Sequence, residues 1–294
     1  MVAFLKKLNI TAKDTNNYLK KVFFKQKQNS YLLIPMKYGI FSGGKRFRSV
    51  IVVNTGKIFN VNYKKLIIIG SAIECMHSYS LIHDDLPSMD NDEFRRGKLS
   101  VHKKFNEFTA ILAGNSLLTL AFEILSGKDL KLSFKCKNEL IKTLSMCSGH
   151  LGLAGGQYFD LTFEKKIISK KKIIEMERKK TGELFGFCCE SIGIIKGYSI
   201  AKRKRLRDIG IDIGLLFQIV DDLIDYKGDS KKVGKPTKRD KKKGKATLVN
   251  LLGYKKTLIF AKKLKQKINI KIKKLGNENK DLLNSVDFIL ERSF

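Results

Sequence analysis

The sequence predicts an all-α fold, and three observations carry that prediction. Apolar residues recur mostly at helical spacing, and the alternation of apolar and polar residues that marks a half-buried strand is rare. Glycine turn signals separate the periodic segments. Only three prolines occur, and no linker rich in Pro, Gly or Ser divides the chain. We therefore expect residues 1–294 to form one domain, a single large helical bundle.

The helices are predicted in chain order. A nearly all-apolar segment predicts a buried helix over residues 66–85. Helical periodicity predicts further helices over 109–126, 138–154, 172–198, 201–226 and 246–274. Turns are expected at Gly43-Gly44, Gly127, Gly155-Gly156, Gly228 and Gly276. Residues 229–245 contain nine lysines and arginines and almost nothing apolar, which predicts a surface loop able to close on an anion.

Composition narrows the classes of function. The net charge of +31 would suit a basic helical nucleic-acid-binding protein, which stays open as an alternative. However, the basic residues are spread along the chain, and an anionic substrate explains the charge equally well. Five cysteines without a Cys-x-x-Cys pair indicate reduced thiols and a cytoplasmic protein. Neither a signal peptide nor a transmembrane helix is expected.

Negative charge is concentrated in the stretch LIHDDLPSMDNDEFRRG. Five of the ten residues from Asp84 to Glu93 are acidic, and such carboxylates repel one another unless a cation lies among them. Asp90 lies about 120° from Asp84 on an ideal helix. It can therefore approach Asp84 only if the helix is interrupted, and Pro87 would supply the interruption.

A second acidic cluster lies in the segment QIVDDLID. On a helix of about 100° per residue, one face carries Gln218, Asp221, Asp222 and Asp225, while apolar residues occupy the opposite side. Two clusters of oxygen donors in a lysine-rich chain suggest a diphosphate bridged by magnesium. The ligand spacing of a zinc site is absent, and GGKRFR lacks the strand and spacing of a nucleotide-binding glycine loop.

The ordered motifs resemble those of the trans-prenyltransferase family, in the form found in bacterial farnesyl diphosphate synthases. They are GGKRFR, HDDLPSMDNDEFRRG, GGQYFD, KKTGELF and QIVDDLID, and they follow one another between Tyr38 and Asn250. The resemblance implies an isoprenoid-synthase bundle around a central cavity, a homodimer, and the condensation of isopentenyl diphosphate with dimethylallyl or geranyl diphosphate to farnesyl diphosphate. Geranylgeranyl and longer-chain synthases share these motifs and stay open as alternatives.

The resemblance also implies roles for individual residues. Two or three Mg²⁺ ions would lie between facing acidic walls formed by Asp84, Asp85, Asp90, Asp221, Asp222 and Asp225. The allylic diphosphate would contact Arg95, Lys180 and Lys235. The diphosphate of isopentenyl diphosphate would contact Lys45, Arg48, His77 and Arg96. With Lys180, the catalytic set would include Thr181 and Gln218. Product length would be limited by Tyr79 and Ser80, five and four residues before Asp84.

Three positions depart from the family pattern. Ser49 stands where proline is usual, and at a helix start we expect this change to be mild because serine can cap. The segment ATLV, Ala246–Val249, replaces Thr/Ser-x-Tyr-Pro, and ERSF lacks the usual final basic residue. These departures bear on closure of the loop and on contacts of the tail, and leave the predicted metal site unchanged.

Overall fold

The structure, a computed structural model, describes residues 2–25, 31–228 and 244–292. In chain order its helices are α1 (Val2–Lys25), α2 (Leu33–Ile40), α3 (Phe47–Ile58), α4 (Tyr63–Asp84), α5 (Val101–Lys104), α6 (Glu107–Ser126), α7 (Phe134–Ser148), α8 (Leu153–Thr162), α9 (Lys170–Glu177), α10 (Glu183–Ile195), α11 (Ile200–Lys227), α12 (Leu248–Leu252), α13 (Tyr254–Lys273) and α14 (Lys280–Glu291). A π-helical turn, Arg178–Gly182, joins α9 to α10. Strands β1 (Phe94–Arg95) and β2 (Lys98–Leu99) form a short antiparallel ribbon. The all-α prediction is confirmed.

The chain divides into two compact units. The N-terminal unit comprises Val2–Val53 and Asn62–Ile141, and the C-terminal unit comprises Asn54–Val61 and Lys142–Phe294 together with Met1. In the N-terminal unit α4 packs against α6 and α1. In the C-terminal unit α11 packs against α10, α13 and the π-helical turn. The interpretation of residues 1–294 as one domain remains a prediction.

Helix α4 forms the centre of the N-terminal unit. Its start is capped by Asn62, whose side chain accepts the backbone N–H of Lys64. Residues 66–76 are all buried, so this part of the helix is enclosed on every side rather than amphipathic. By length and composition alone, α4 and α6 could each cross a membrane; 78% of the apolar window of α4 and 44% of that of α6 are buried inside the protein.

Three of the predicted helices are interrupted. The helix predicted over 138–154 ends at Ser148 and resumes at Leu153. The helix predicted over 172–198 contains the π-helical turn. The helix predicted over 246–274 is divided at Gly253, whose φ of +79° is a left-handed conformation that glycine adopts at little cost.

The predicted turn at Gly155-Gly156 was wrong. Both glycines lie inside α8. A Cβ atom on Gly156 would overlap with the backbone nitrogen of Lys180 in the π-helical turn. Glycine here therefore permits two backbones to approach closely rather than reversing the chain.

Candidate active site

The first acidic cluster lies where α4 ends. Asp84 is the last helical residue, and Asp85 caps the helix. The backbone N–H of Asp90 donates to the carbonyl oxygen of Asp84 at 2.8 Å, and that of Asp92 donates to the carbonyl oxygen of Asp85 at 3.1 Å. The chain thus turns back around Pro87, and the interruption predicted from this proline is present.

Asp85 is buried and paired with Arg95 of β1. Its carboxylate accepts a hydrogen bond from Arg95 Nε at 2.9 Å and a second, short one from Nη2. The carboxylate of Asp92 lies 3.4 Å from the same guanidinium. Burial opposes the charged form of Arg95, but the hydrogen bond and negative charge of Asp85 outweigh it and raise the pKa of Arg95. A side-chain cation therefore already lies against one of the predicted metal ligands.

His77 lies on α4 among positive charges. Burial holds the pKa of this imidazole well below its usual range, and the charges of the surrounding arginines lower it further. These arginines are Arg48, Arg96, Arg95 and Arg46. His77 is therefore neutral at pH 7 and has one N–H to donate. So many cations around one point form a favourable position for an anionic group.

Arg96 lies against the glycine pair of the GGKRFR segment. Its guanidinium donates to the carbonyl oxygen of Gly43, and a Cβ atom on Gly44 would lie only 2.6 Å from Nη1. Burial, with the nearby positive charges, lowers the pKa of Arg96 to about 10. The structure thus brings Arg48, His77 and Arg96 into one electropositive region, and Lys45 follows Gly44 as an exposed side chain.

Arg46 anchors this segment from inside the unit. It donates to Asn16 Oδ1 at 2.9 Å and to the carbonyl oxygen of Ile40, and lies 3.7 Å from the buried Glu74. Ser49 does not cap α3, because it is the third helical residue and its hydroxyl has no hydrogen-bond partner among the described residues. Its backbone N–H donates to Glu74 Oε1 at 3.3 Å instead, a bond that proline could not make.

The second acidic cluster lies on α11. Thr181 in the π-helical turn donates from Oγ1 to Gln218 Oε1 at 2.8 Å, and Gln218 Nε2 donates to Asp222 Oδ1 at 2.8 Å. The turn therefore presents Thr181 to the acidic helix, as π-helical turns often do at functional sites. Asp221 pairs at 3.2 Å with Arg292, which follows α14. Nothing in the helical pattern of α11 indicated this cation.

Lys180 contacts a buried carboxylate that sequence reasoning did not assign. Its Nζ lies 2.6 Å from Asp160 Oδ2 on α8, and Nζ of Lys245 lies 2.8 Å from the same oxygen. The motif GGQYFD contains Asp160, but nothing in the sequence paired it with a lysine 85 residues away.

Asp225 is partly exposed near the end of α11. Residues 229–243 of the predicted loop, Lys235 among them, lie outside the described residues.

The predicted chain-length residues lie on α4. The ring of Tyr79 is half-buried and packs edge-on against His83 at 4.8 Å between centroids. His83 in turn lies with Nε2 3.1 Å from the carbonyl oxygen of Ile111 on α6. Ser80 is buried, and its hydroxyl donates to the carbonyl oxygen of His77. The ring of Tyr79 is thus supported by its own helix, and its role in product length remains a prediction.

The donor set fits magnesium. Both clusters offer carboxylate oxygens, the ligands that Mg²⁺ prefers. Across residues 2–25, 31–228 and 244–292, no three His, Cys, Asp or Glu side chains are grouped closely enough to hold a metal by themselves. Mg²⁺ commonly takes one or two carboxylates and completes its shell with water and substrate phosphate. The contact of Arg95 with Asp85 shows that a cation is favourable at this carboxylate.

Comparison with known sequences supports the motif interpretation. The family model described as polyprenyl synthetase matches residues 29–286. The farnesyl diphosphate synthase of Micrococcus luteus is 38% identical over 265 residues, covering 88% of each chain. That of Escherichia coli strain K12 is 38% identical over 272 residues, covering 90% of this chain and 91% of its own.

Solved structures give the same picture of the fold. An apo FPP/GFPP synthase from Zymomonas mobilis is similar with a TM-score of 0.86 at 38% identity, covering 98% of this chain and all of its own. A geranyltransferase from Helicobacter pylori, complexed with magnesium and isoprenyl diphosphate, has a TM-score of 0.79 at 30% identity over 96% of each chain.

Proposed function

The chain belongs to the polyprenyl synthetase family, and we propose that it condenses isopentenyl diphosphate with dimethylallyl and then geranyl diphosphate to form farnesyl diphosphate. One observation carries the proposal: curated farnesyl diphosphate synthases match nearly the whole chain, at 38% identity for two of them. The two acidic clusters and the arginine-rich region around His77 give that activity a chemical basis.

The acidic clusters would hold the allylic diphosphate through magnesium. We propose Asp84, Asp85 and Asp90 as ligands on α4, and Asp221, Asp222 and Asp225 on α11. When bound, Mg²⁺ supplies Lewis-acid stabilisation of negative charge on the diphosphate. Arg95 and Lys180 would add charge-assisted hydrogen bonds to the same oxygens, with Lys235 proposed from its motif alone. These contacts strengthen as the allylic C–O bond breaks and negative charge develops.

The arginine-rich region would bind the second substrate. Arg48, Arg96 and the exposed Lys45 supply positive charge for the diphosphate of isopentenyl diphosphate, and neutral His77 supplies a hydrogen-bond donor. The double bond of isopentenyl diphosphate then attacks the allylic cation, and a new C–C bond forms. The proton that isopentenyl diphosphate loses passes to the released diphosphate. Thr181 and Gln218, already hydrogen-bonded to each other, would fix polar oxygens near the reacting carbon.

Product length separates the proposal from its nearest alternative. Tyr79 would close the cavity below the allylic chain, with the smaller Ser80 leaving room above it, and synthesis would stop at fifteen carbons. A longer product is the second candidate, because the similar Zymomonas mobilis protein is described as an FPP/GFPP synthase.

We further propose that the enzyme is a homodimer. Helix α6 exposes Phe108 and, one helical turn further on, Ile111 and Leu112, which are 66%, 42% and 49% exposed. A second copy of the chain would remove this surface from water. Sedimentation equilibrium should give twice the chain mass, whereas a monomer at micromolar concentration would contradict the proposal.

The cysteines favour a cytoplasmic setting for the enzyme. All five are free. Burial raises the pKa of the Cys75 and Cys147 thiols, and raises that of Cys189 to about 12. These three thiols therefore stay protonated and serve as core residues, and none is proposed as a nucleophile.

A condensation assay tests the function directly. Purified protein is incubated with Mg²⁺, radiolabelled isopentenyl diphosphate and either allylic primer, and product length is read by chromatography. We expect a fifteen-carbon product from both primers. A product of twenty carbons or more would favour the second candidate, and no product from either primer would contradict a prenyltransferase.

A further inference from the structure

Lys180 belongs to a cluster of four side chains of alternating charge in the C-terminal unit: Lys180, Asp160, Lys245 and Glu164. Asp160 Oδ2 accepts from Nζ of both Lys180 and Lys245, at 2.6 and 2.8 Å. Lys245 also lies 2.8 Å from Glu164 Oε1, so it bridges two carboxylates. Burial alone would raise the pKa of Asp160, but the charges of the two lysines, followed by their hydrogen bonds, outweigh it and lower that pKa. Asp160 is therefore charged, and two ammonium groups share it.

The two lysines differ in how far they are enclosed. The side chain of Lys245 is 8% exposed, close to the 9% of Asp160, whereas that of Lys180 is 24% exposed. Lys245 is thus the inner cation, fixed between two acids, and Lys180 is the outer one. Only Lys180 lies in the π-helical turn that also carries Thr181. An anionic ligand that approaches this turn can reach Lys180 without disturbing Lys245.

A buried carboxylate does not release its only cation easily, because an unpaired buried charge is strongly unfavourable. With Lys245 retained, Asp160 stays neutralised after Lys180 has left. We propose that Lys245 is a positioning residue: it holds the charge of Asp160 and so lets Lys180 exchange that carboxylate for the allylic diphosphate. This inference rests on the proposed function, which makes Lys180 a diphosphate ligand.

The variant Lys245→Met tests the exchange by removing the inner cation at similar side-chain length. Asp160 then has Lys180 as its remaining cation from this cluster, and we expect it to retain that lysine. The Kd for inorganic pyrophosphate in Mg²⁺, measured by calorimetry, should rise roughly tenfold, the equivalent of about 1.4 kcal/mol. The KM for geranyl diphosphate should rise in parallel, while the KM for isopentenyl diphosphate should stay within about twofold.

A double variant separates positioning from a general loss of structure. In Lys245→Met/Asp160→Asn the carboxylate that retains Lys180 is also gone, so pyrophosphate affinity should return to within about threefold of wild type. The matched control is Lys271→Met, because Asp212 is likewise buried between two cations, Lys271 and Arg178, each at 2.7 Å. This control should leave the pyrophosphate Kd unchanged, even where the melting temperature falls.

Three results would overturn the inference: an unchanged pyrophosphate Kd in folded Lys245→Met, no recovery in the double variant, or equal losses in Lys271→Met. If Lys245→Met does not fold, Asp160→Asn alone decides. It frees Lys180 while Lys245 keeps Glu164, and must bind pyrophosphate at least as tightly as wild type. Wild-type protein that neither binds pyrophosphate nor condenses the substrates would instead refute the proposed function itself.

Discussion

Cations of the chain lie against acidic residues at three points of the candidate site. Arg95 is paired with Asp85, Arg292 with Asp221, and two lysines with Asp160. Two of these carboxylates, Asp85 and Asp221, are proposed ligands of Mg²⁺. The third, Asp160, is the carboxylate that Lys180 is proposed to exchange for the diphosphate. Binding of magnesium and diphosphate would therefore exchange ionic partners rather than create charge pairs from solvated groups.

The residue proposed to limit product length can be tested alone. Tyr79→Ala removes the ring that packs against His83. We expect products to shift from fifteen carbons to twenty or more, with the first condensation largely intact, because the change lies about 7.5 Å along α4 from the proposed metal ligand Asp84. The measurement is the product distribution with dimethylallyl diphosphate as primer. A variant that still stops at fifteen carbons at a comparable rate would exclude Tyr79 as the limiting residue.

His77 should make folding stability depend on pH. Its pKa is depressed in the folded protein, while an unfolded histidine titrates near about 6.5. The unfolded state therefore binds more protons below that pH, so the contribution is complete above about 6.5 and is lost as pH falls toward the folded pKa. His77→Gln should show a smaller loss of unfolding free energy between pH 7.5 and 5.5 by urea titration. The exposed His150→Gln serves as control; identical pH slopes in wild type and His77→Gln would contradict this account.

At the scale of elements, close helix contacts set the geometry of the π-helical turn. Gly156 on α8 meets the backbone of Lys179 and Lys180, and Gly214 on α11 lies where a Cβ would be 2.7 Å from Cα of Gly182. The turn is thus enclosed by glycines on two neighbouring helices. This enclosure fixes the backbone that carries Lys180 and Thr181.

Gly156→Ala should therefore disturb the turn. The added methyl group would overlap with backbone rather than with a movable side chain, and we expect a loss of about 1–3 kcal/mol in unfolding free energy together with reduced turnover. Gly193→Ala is the control, because its methyl group would meet side-chain atoms no closer than 3.1 Å. Urea unfolding and condensation rates measure both effects. Equal behaviour of the two variants would show that the contact at Gly156 is not decisive.

Periodicity predicted elements better than their interruptions. The helix predicted over 66–85 begins at Tyr63 and ends at Asp84, and that over 201–226 runs from Ile200 to Lys227, since long apolar repeats outweigh local variation. The π-helical turn and the helical Gly155-Gly156 pair depend on contacts with neighbouring helices. The periodicity of a single segment carries no information about such contacts. The pairing of Asp160 with Lys245 likewise depends on tertiary structure. Motif order predicted the site residues, but not the cations of the chain that accompany them.

At the scale of the whole molecule, the charge of +31 needs an explanation that fits the site. A cluster of arginines surrounds His77, and lysines contact Asp160, so part of the charge lies where a diphosphate would bind. Part is spread over the surface: α13 exposes many lysines and contains no acidic residue. We expect this general excess of positive charge to attract anions without specificity.

Binding to nucleic acid should accordingly be weak and independent of sequence. We expect duplex DNA to bind at low salt and to dissociate steeply as salt rises, because each phosphate contact releases counterions. Fluorescence anisotropy with two unrelated duplexes at about 50 and 200 mM salt measures this. Sequence-selective binding at the higher salt would support the nucleic-acid alternative.

The central claim is that acidic residues on both α4 and α11 bind the magnesium that activates an allylic diphosphate. Its most direct measurement is the condensation rate of Asp84→Ala and Asp221→Ala at saturating Mg²⁺, with the exposed Ser88→Ala as control from the same turn as Asp84. We predict a loss of roughly a hundredfold or more in each aspartate variant, helical circular dichroism throughout, and a near-normal control. Turnover close to wild type in either aspartate variant would contradict the claim.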